Sequence, residues 1–226
     1  MTFLPTVQDL LDTKHTIAYR MFESVLYPHE VLSKIEGEIV KIGSQLSLHE
    51  YNKIGDSIWI ARTAVIDDSA EIIPPAIICD GAVLRHGAYI RGNVIIGCGC
   101  TIGNASEIKN SIIFDGAQIP HFNYIGDSVM GYKTHVGAGV IASNVRIDKK
   151  SVVIHYENAA LDTKMKKMGA VIGDFAEVGC NSVLCPGTIL GRRSIVYPLS
   201  VVRRTVGENM IYKGNGKIVE RKNADS

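Results

Sequence analysis

The sequence carries almost no net charge. Its 226 residues sum to a formal +1, which removes the electrostatic case for nucleic acid or an anionic membrane as partner. No apolar run approaches the roughly 18–20 residues that a membrane-spanning helix needs, and the N-terminus has no signal-peptide pattern. A soluble, cytoplasmic protein is the expectation. Cysteine is sparse and odd in number: Cys79, Cys98, Cys100, Cys180 and Cys185. Cys98 and Cys100 are too close for an ordinary disulfide, and nothing nearby completes a zinc set. Most of these thiols sit in apolar stretches, where they serve as small hydrophobes. With 46% apolar and 21% charged residues, the chain has an ordinary globular balance.

What is present is a clock of six. Steps of six from Ile60 meet Ile66, Ile72, Ile78, Leu84, Ile90, Ile96, Ile102, Ile108 and Phe114, all large and apolar. The clock restarts at Ile172 and runs through Val178, Leu184, Leu190, Val196 and Val202, with a weaker stretch at Tyr124, Met130, Val136 and Ala142 between. Neither a helical period nor simple alternation gives this spacing. A small residue such as Ala64, Ala82, Ala88, Ala176 or Ser182 stands two places before most rungs. One large and one small inward residue per six fit a three-walled prism, a parallel β-helix. Residues eighteen apart then stack at about 4.8 Å, the spacing of paired strands.

Residues 1–50 do not keep the clock. Thr6 followed by Asp9 reads as a helix start, and Val31, Ile35, Ile39 and Leu46 recur at helical spacing after Pro28. The expectation is a helical N-terminal cap over 1–50, packed across the open first coil to protect its sheet edge. A β-helix follows over 51–205, with a polar loop insertion at about 143–170, and then a loose polar tail over 206–226. A second, shorter insertion is expected between Phe114 and Tyr124, carrying His121 off the regular wall. Irregularity in a regular scaffold points to binding.

Arg91 and Lys109 stand eighteen apart and each follows an inward residue, so they share one wall on neighbouring coils. Without evident carboxylate partners they read as a phosphate clamp, where the alternative is two solvated surface charges. His121 gains interest from its place near this column. Together with His135 and His155 it could suggest a three-histidine metal site, as in the gamma-class carbonic anhydrases. The His-x-x-x-x-His pair that family uses is absent, so no metal is expected.

The segments GNASEIKNSIIFDGAQIPHFNYIGDSVMG, HVGAGVIASNVRID and KKMGAVIGDFAEVG resemble the acetyltransferase domain of bifunctional enzymes that make UDP-N-acetylglucosamine from glucosamine 1-phosphate. They are closer still to the C-terminal domain of archaeal sugar-1-phosphate nucleotidylyltransferases. The resemblance implies a left-handed β-helix, a homotrimer, and acetyl-CoA held in a groove between neighbouring prisms. It implies Arg91 and Lys109 as phosphate ligands, His121 as catalytic base, and Tyr124 and Asn144 as sugar contacts. Lys167 is the implied loop lysine, with Lys150 or Lys166 as alternatives. His135 stands where the bacterial enzymes carry an asparagine and Val145 where they carry a tyrosine, both in the sugar pocket. The block from Ile172 would line the acetyl-CoA groove around Ala176, Cys180 and Pro198. The nucleotidylyltransferase domain is missing, so a separate nucleotidylyltransferase is an expected partner. Two other functions fit the residues. One is a catalytically silent trimeric module that binds a sugar phosphate or nucleotide sugar; the other is an acyltransferase with a different donor or amine.

Overall fold

The structure, a computed structural model, describes residues 4–222; the first three residues of the expected cap and the last four of the expected tail lie outside it. Three parallel walls coil into a prism. The first wall runs through Ile58–Ala61, Ala76–Ile78, Val94–Ile96, Ser111–Ile113, Val129–Met130, Ala170–Ile172 and Thr188–Leu190. The second contains Thr101–Asn104, Gln118–His121, His135–Val136 and Glu177–Val178, and the third Tyr89–Arg91, Glu107–Lys109, Tyr124–Gly126 and Ile141–Ala142. Among the described residues the third wall has seven strands, one per circuit. Early circuits take eighteen residues, as in the pairing of Ile77 with Ile95 and of Ile90 with Ile108.

The clock then loses a beat. Ile95 pairs with Ile112, Ile108 with Ile125 and Ile112 with Val129, a spacing of seventeen. The inward rungs are Ile113, Ile119 and Ile125, each buried in the prism core, rather than Phe114 and Tyr124. No insertion separates those two residues. The cause lies at the corner between the third and first walls. Gly92 and Asn93 make that corner in the early circuit; Asn110 alone and then Asp127 alone make it in the next two, at φ of 46° and 48°. Asn and Asp tolerate this left-handed backbone better than most residues, so a one-residue corner is built where the sequence offers them. Ser111 and Ser128 follow, and their buried hydroxyls donate back to the carbonyls of Lys109 and Gly126 at 2.8 Å each.

The first wall is apolar on both faces. Trp59, Ile77, Ile95, Ile112, Val129, Val171 and Ile189 point outward from it and are buried, so this wall needs a cover. The N-terminal helices supply it. Thr6 and Asp9 form the expected capping box at Val7–Leu10. Ile35–Gly43 buries Ile35 and Ile39 in the cluster that contains the outward row. Phe114 joins this layer, with its ring 5.3 Å from that of Phe22. The helices therefore cover the side of the prism, not the mouth of its first coil. At that end Tyr51–Ile54 pairs antiparallel with Ile58–Ala61. The 143–170 excursion contains a hairpin, Val153–Tyr156 with Ala159–Asp162, whose buried Val152 and Ile154 join the same outer cluster.

The C-terminal segment is not loose. Met210–Tyr212 continues the second wall beside Ile195–Val196, and Ile218–Glu220 folds back on it. Val206 and Tyr212 close the core, with the Tyr212 hydroxyl donating to the Val201 carbonyl at 2.8 Å. Apolar residues among polar ones, rather than net polarity, decided this segment.

Asp174 pins the helical cover to the prism. Its buried carboxylate accepts from the backbone N–H of Asp12 at 2.7 Å and of Tyr132 at 2.8 Å, with Arg192 Nε 3.5 Å away. Burial pushes the carboxyl pKa up, while the two N–H donors pull it down. Replacing Asp174 with Ala strands both donors, and a cost of about 3 kcal/mol is expected. Urea unfolding measures it, and a loss below about 0.5 kcal/mol would show that the pin bears no load.

Candidate active site

Arg91 and Lys109 end neighbouring strands of the third wall, in one outward column, as their eighteen-residue spacing requires. They do have carboxylate partners. Arg91 meets Glu107 at 2.7 Å and Lys109 meets Asp127 at 3.5 Å. Asp127 is 4% exposed and is the centre of a network: Asn110 donates to it at 2.8 Å, and Asn144 also donates to it. Asn144 comes from the start of the long excursion, and its backbone carbonyl accepts from Met168 N–H at 3.0 Å. This bond brings the exposed Lys167, at the excursion's far end, alongside Asn144.

Tyr124 occupies the outward face of the same wall, paired with Glu107. Asn144 donates to its hydroxyl at 3.1 Å, which leaves the phenolic hydrogen free to donate elsewhere. Burial, with Glu107 and Asp127 nearby, pushes its pKa up, so the phenol stays neutral and remains a donor.

His121 is not displaced from the prism. It ends a regular second-wall strand, opposite Asn104, at the corner leading into the third wall. The corner is held by Asn123, 3% exposed, whose Oδ1 accepts from His121 N–H at 3.0 Å and whose Nδ2 donates to the Gly137 carbonyl at 2.7 Å. Phe122 between them is left-handed at φ 53°. His121 and the cation pair thus flank the third wall at opposite ends. Its strands are three residues wide, roughly 10 Å at 3.3 Å per residue, the scale of one sugar phosphate.

The His121 corner is stacked along the prism. Gly139 N–H donates to the His121 carbonyl at 3.0 Å, Asn181 to Ala138 at 2.8 Å, and Leu199 to Cys180 at 2.9 Å. Cys180 and Pro198 therefore lie on the same edge as His121, both exposed. Ala176 does not. It is 0% exposed and faces the prism core, as its place among the small inward residues dictates, so its side chain meets nothing outside. His135 is exposed on the second wall, in the column of Gln118 and Glu177. His155 sits on the excursion hairpin, and among the described residues no three His, Cys, Asp or Glu side chains gather as a metal site.

Sequence reasoning missed the carboxylates Glu107 and Asp127, although Glu107 stands two residues before Lys109 and so shares its face. It also missed the contribution of the cover. A cleft of about 450 Å³ opens between Leu32, Ser33 and Glu36 of the helical layer and the corner carrying Arg91, Lys109 and Asp127.

A family model described as the GMPPB C-terminal domain matches residues 72–165. A bifunctional sugar-1-phosphate nucleotidylyltransferase/acetyltransferase of Sulfurisphaera tokodaii is 31% identical over 198 residues, covering 79% of this chain and 49% of that protein. The bifunctional protein GlmU of Methanococcus maripaludis (strain S2) is 32% identical over 203 residues, covering 87% of this chain and 48% of its own length. The chain spans about half the length of the curated relatives it matches. Among solved structures, it is similar to a hexapeptide transferase family protein from Anaplasma phagocytophilum, at TM-score 0.42 and 17% identity, covering 73% of this chain and 79% of that one. No described helix is long and apolar enough to cross a membrane.

Proposed function

We propose that this chain, a relative of the C-terminal halves of bifunctional sugar-1-phosphate nucleotidylyltransferase/acetyltransferases, transfers an acetyl group from acetyl-CoA to the amine of a hexosamine 1-phosphate. The observation that carries the reading is the third wall itself, with two cations at one end, an exposed imidazole at the other, and a hydrogen-bonding tyrosine between. Arg91 and Lys109 take the phosphate, exchanging part of their contact with Glu107 and Asp127 for it. The sugar then lies across Tyr124 and Asn144, and its amine reaches His121. This converts a collision into a positioned attack.

His121 accepts a proton as the amine nitrogen bonds to the thioester carbonyl carbon. The carbon–sulfur bond breaks, the acetamide stays on the sugar, and the imidazolium returns its proton to the departing thiolate. Acetyl-CoA follows the edge of Cys180 and Pro198, which is stacked on His121. The exposed apolar residues on that edge, Phe122 at 61% and Leu199 at 80%, suit a homotrimer whose neighbouring prisms meet there and complete the groove. A cytoplasmic setting and a separate nucleotidylyltransferase that consumes the product complete the proposal.

Incubation with acetyl-CoA and a panel of hexosamine phosphates, following free thiol, tests it. Thiol release that depends on an amino sugar phosphate is the expected result. Binding of the sugar phosphates without any release would instead make the chain a non-catalytic binding module. Lys109→Ala should raise KM for the sugar phosphate by about 10- to 100-fold, because a charge-assisted contact of ~1.5–3 kcal/mol is lost. An unaltered KM would remove Lys109 from the clamp.

A further inference from the structure

The cleft beside the cation pair is built partly from the helical layer. Ser33 and Glu36 face Arg91 and Lys109 across it. Both Ser33 and Glu36 are exposed, and among the described residues no cation pairs with Glu36, whereas Arg91 and Lys109 each already hold a carboxylate. Two cations therefore face three carboxylates: Glu107, Asp127 and Glu36. A single phosphate can exchange with Glu107 and Asp127 and satisfy both cations. Any group bonded to that phosphate on the side away from the sugar must extend into the cleft towards Glu36. A hydroxyl or water is welcome beside a carboxylate. A second phosphate is not, since like charges repel and none of the other described residues lining the cleft is a cation that would offset them.

We propose that Glu36 is a specificity-determining residue that makes the site select a sugar 1-monophosphate over the same amino sugar carried on a nucleoside diphosphate. The proposal rests on the acetyltransferase reading above and assigns the helical layer a part in substrate choice. It acts at the end of the substrate remote from the reacting amine, so Glu36 discriminates through binding rather than through the chemical step.

The test compares kcat/KM for glucosamine 1-phosphate and UDP-glucosamine in the wild-type protein and in Glu36→Gln. The wild type should favour the monophosphate by tenfold or more. Glu36→Gln should narrow that ratio by about fivefold, mainly by lowering KM for the diphosphate, and Glu36→Asp should restore much of it. A role of Glu36 confined to the first turn of its helix would shift thermal unfolding slightly and leave the ratio alone. A ratio unchanged in Glu36→Gln, or a wild type that uses both substrates equally, overturns the proposal. Calorimetric titration of the same two ligands separates it from the parent reading. If neither is acetylated but Glu36→Gln still narrows the affinity ratio, the enzymatic reading fails and the selectivity stands; if neither binds, both fall.

Discussion

His121→Ala should lower turnover by about 10²–10⁴-fold with little change in affinity for the sugar phosphate, because general-base assistance is lost while the clamp is untouched. The expectation follows from geometry. His121 ends a strand whose corner is fixed by Asn123, so removing the imidazole leaves the third wall and its cations in place. Single-turnover measurement with saturating acetyl-CoA separates chemistry from binding. Unchanged turnover would take the histidine out of the mechanism, and a loss in affinity equal to the loss in rate would make it a binding residue instead.

The second large effect comes from Gly103. It lies on the coil next to His121, and a methyl group there would overlap the Pro120 carbonyl oxygen. That neighbour is backbone and cannot swing aside. Gly103→Ala must therefore push the Gln118–His121 strand away from Thr101–Asn104, to which it is hydrogen bonded. A destabilisation of about 3 kcal/mol is expected, at the upper end for overpacking. Turnover should also fall by about 100-fold, the order expected when a catalytic group shifts by about an ångström. Denaturant unfolding and steady-state kinetics check the two halves. A stable, fully active Gly103→Ala protein would mean that the coils at His121 are far less tightly stacked than described.

The walls were legible because the prism has a strict period. Ile60 to Ile108 keep their steps, so the placement of Arg91 and Lys109 in one column follows from arithmetic. Beyond Ile108 the sequence has Ile112, Ile113 and Phe114 in succession, and apolarity alone does not say which of the three points inward. The answer depends on whether the preceding corner takes one residue or two, which is decided by Asn110 accepting a left-handed backbone. That one-residue difference also moved His121 from a supposed insertion onto a regular strand.

The position of the helical cover was written in the sequence, but in a different register from the clock. The residues between the inward ones in Ile58–Ala61, Ala76–Ile78 and Val94–Ile96 are Trp59, Ile77 and Ile95, an unbroken row of large apolar groups, where the other walls mix Val65 and Val83 with Glu71, Tyr89, Thr101 and Glu107. Such a wall cannot face water along its length. Reading only the inward residue of each rung hid this. The carboxylates of the site were overlooked for a related reason. Glu107 shares a face with Lys109 through strand alternation, and Asp127 stands eighteen residues after Lys109, at a corner that a reading of one inward residue per rung passes over.

The most direct test of the account is a crystal structure of the protein with a hexosamine 1-phosphate and coenzyme A. It predicts the phosphate between Arg91 and Lys109, the amine within hydrogen-bonding reach of His121, and the pantetheine arm along the edge marked by Cys180 and Pro198. Sugar phosphate bound away from the third wall, or with its amine turned from His121, would contradict it.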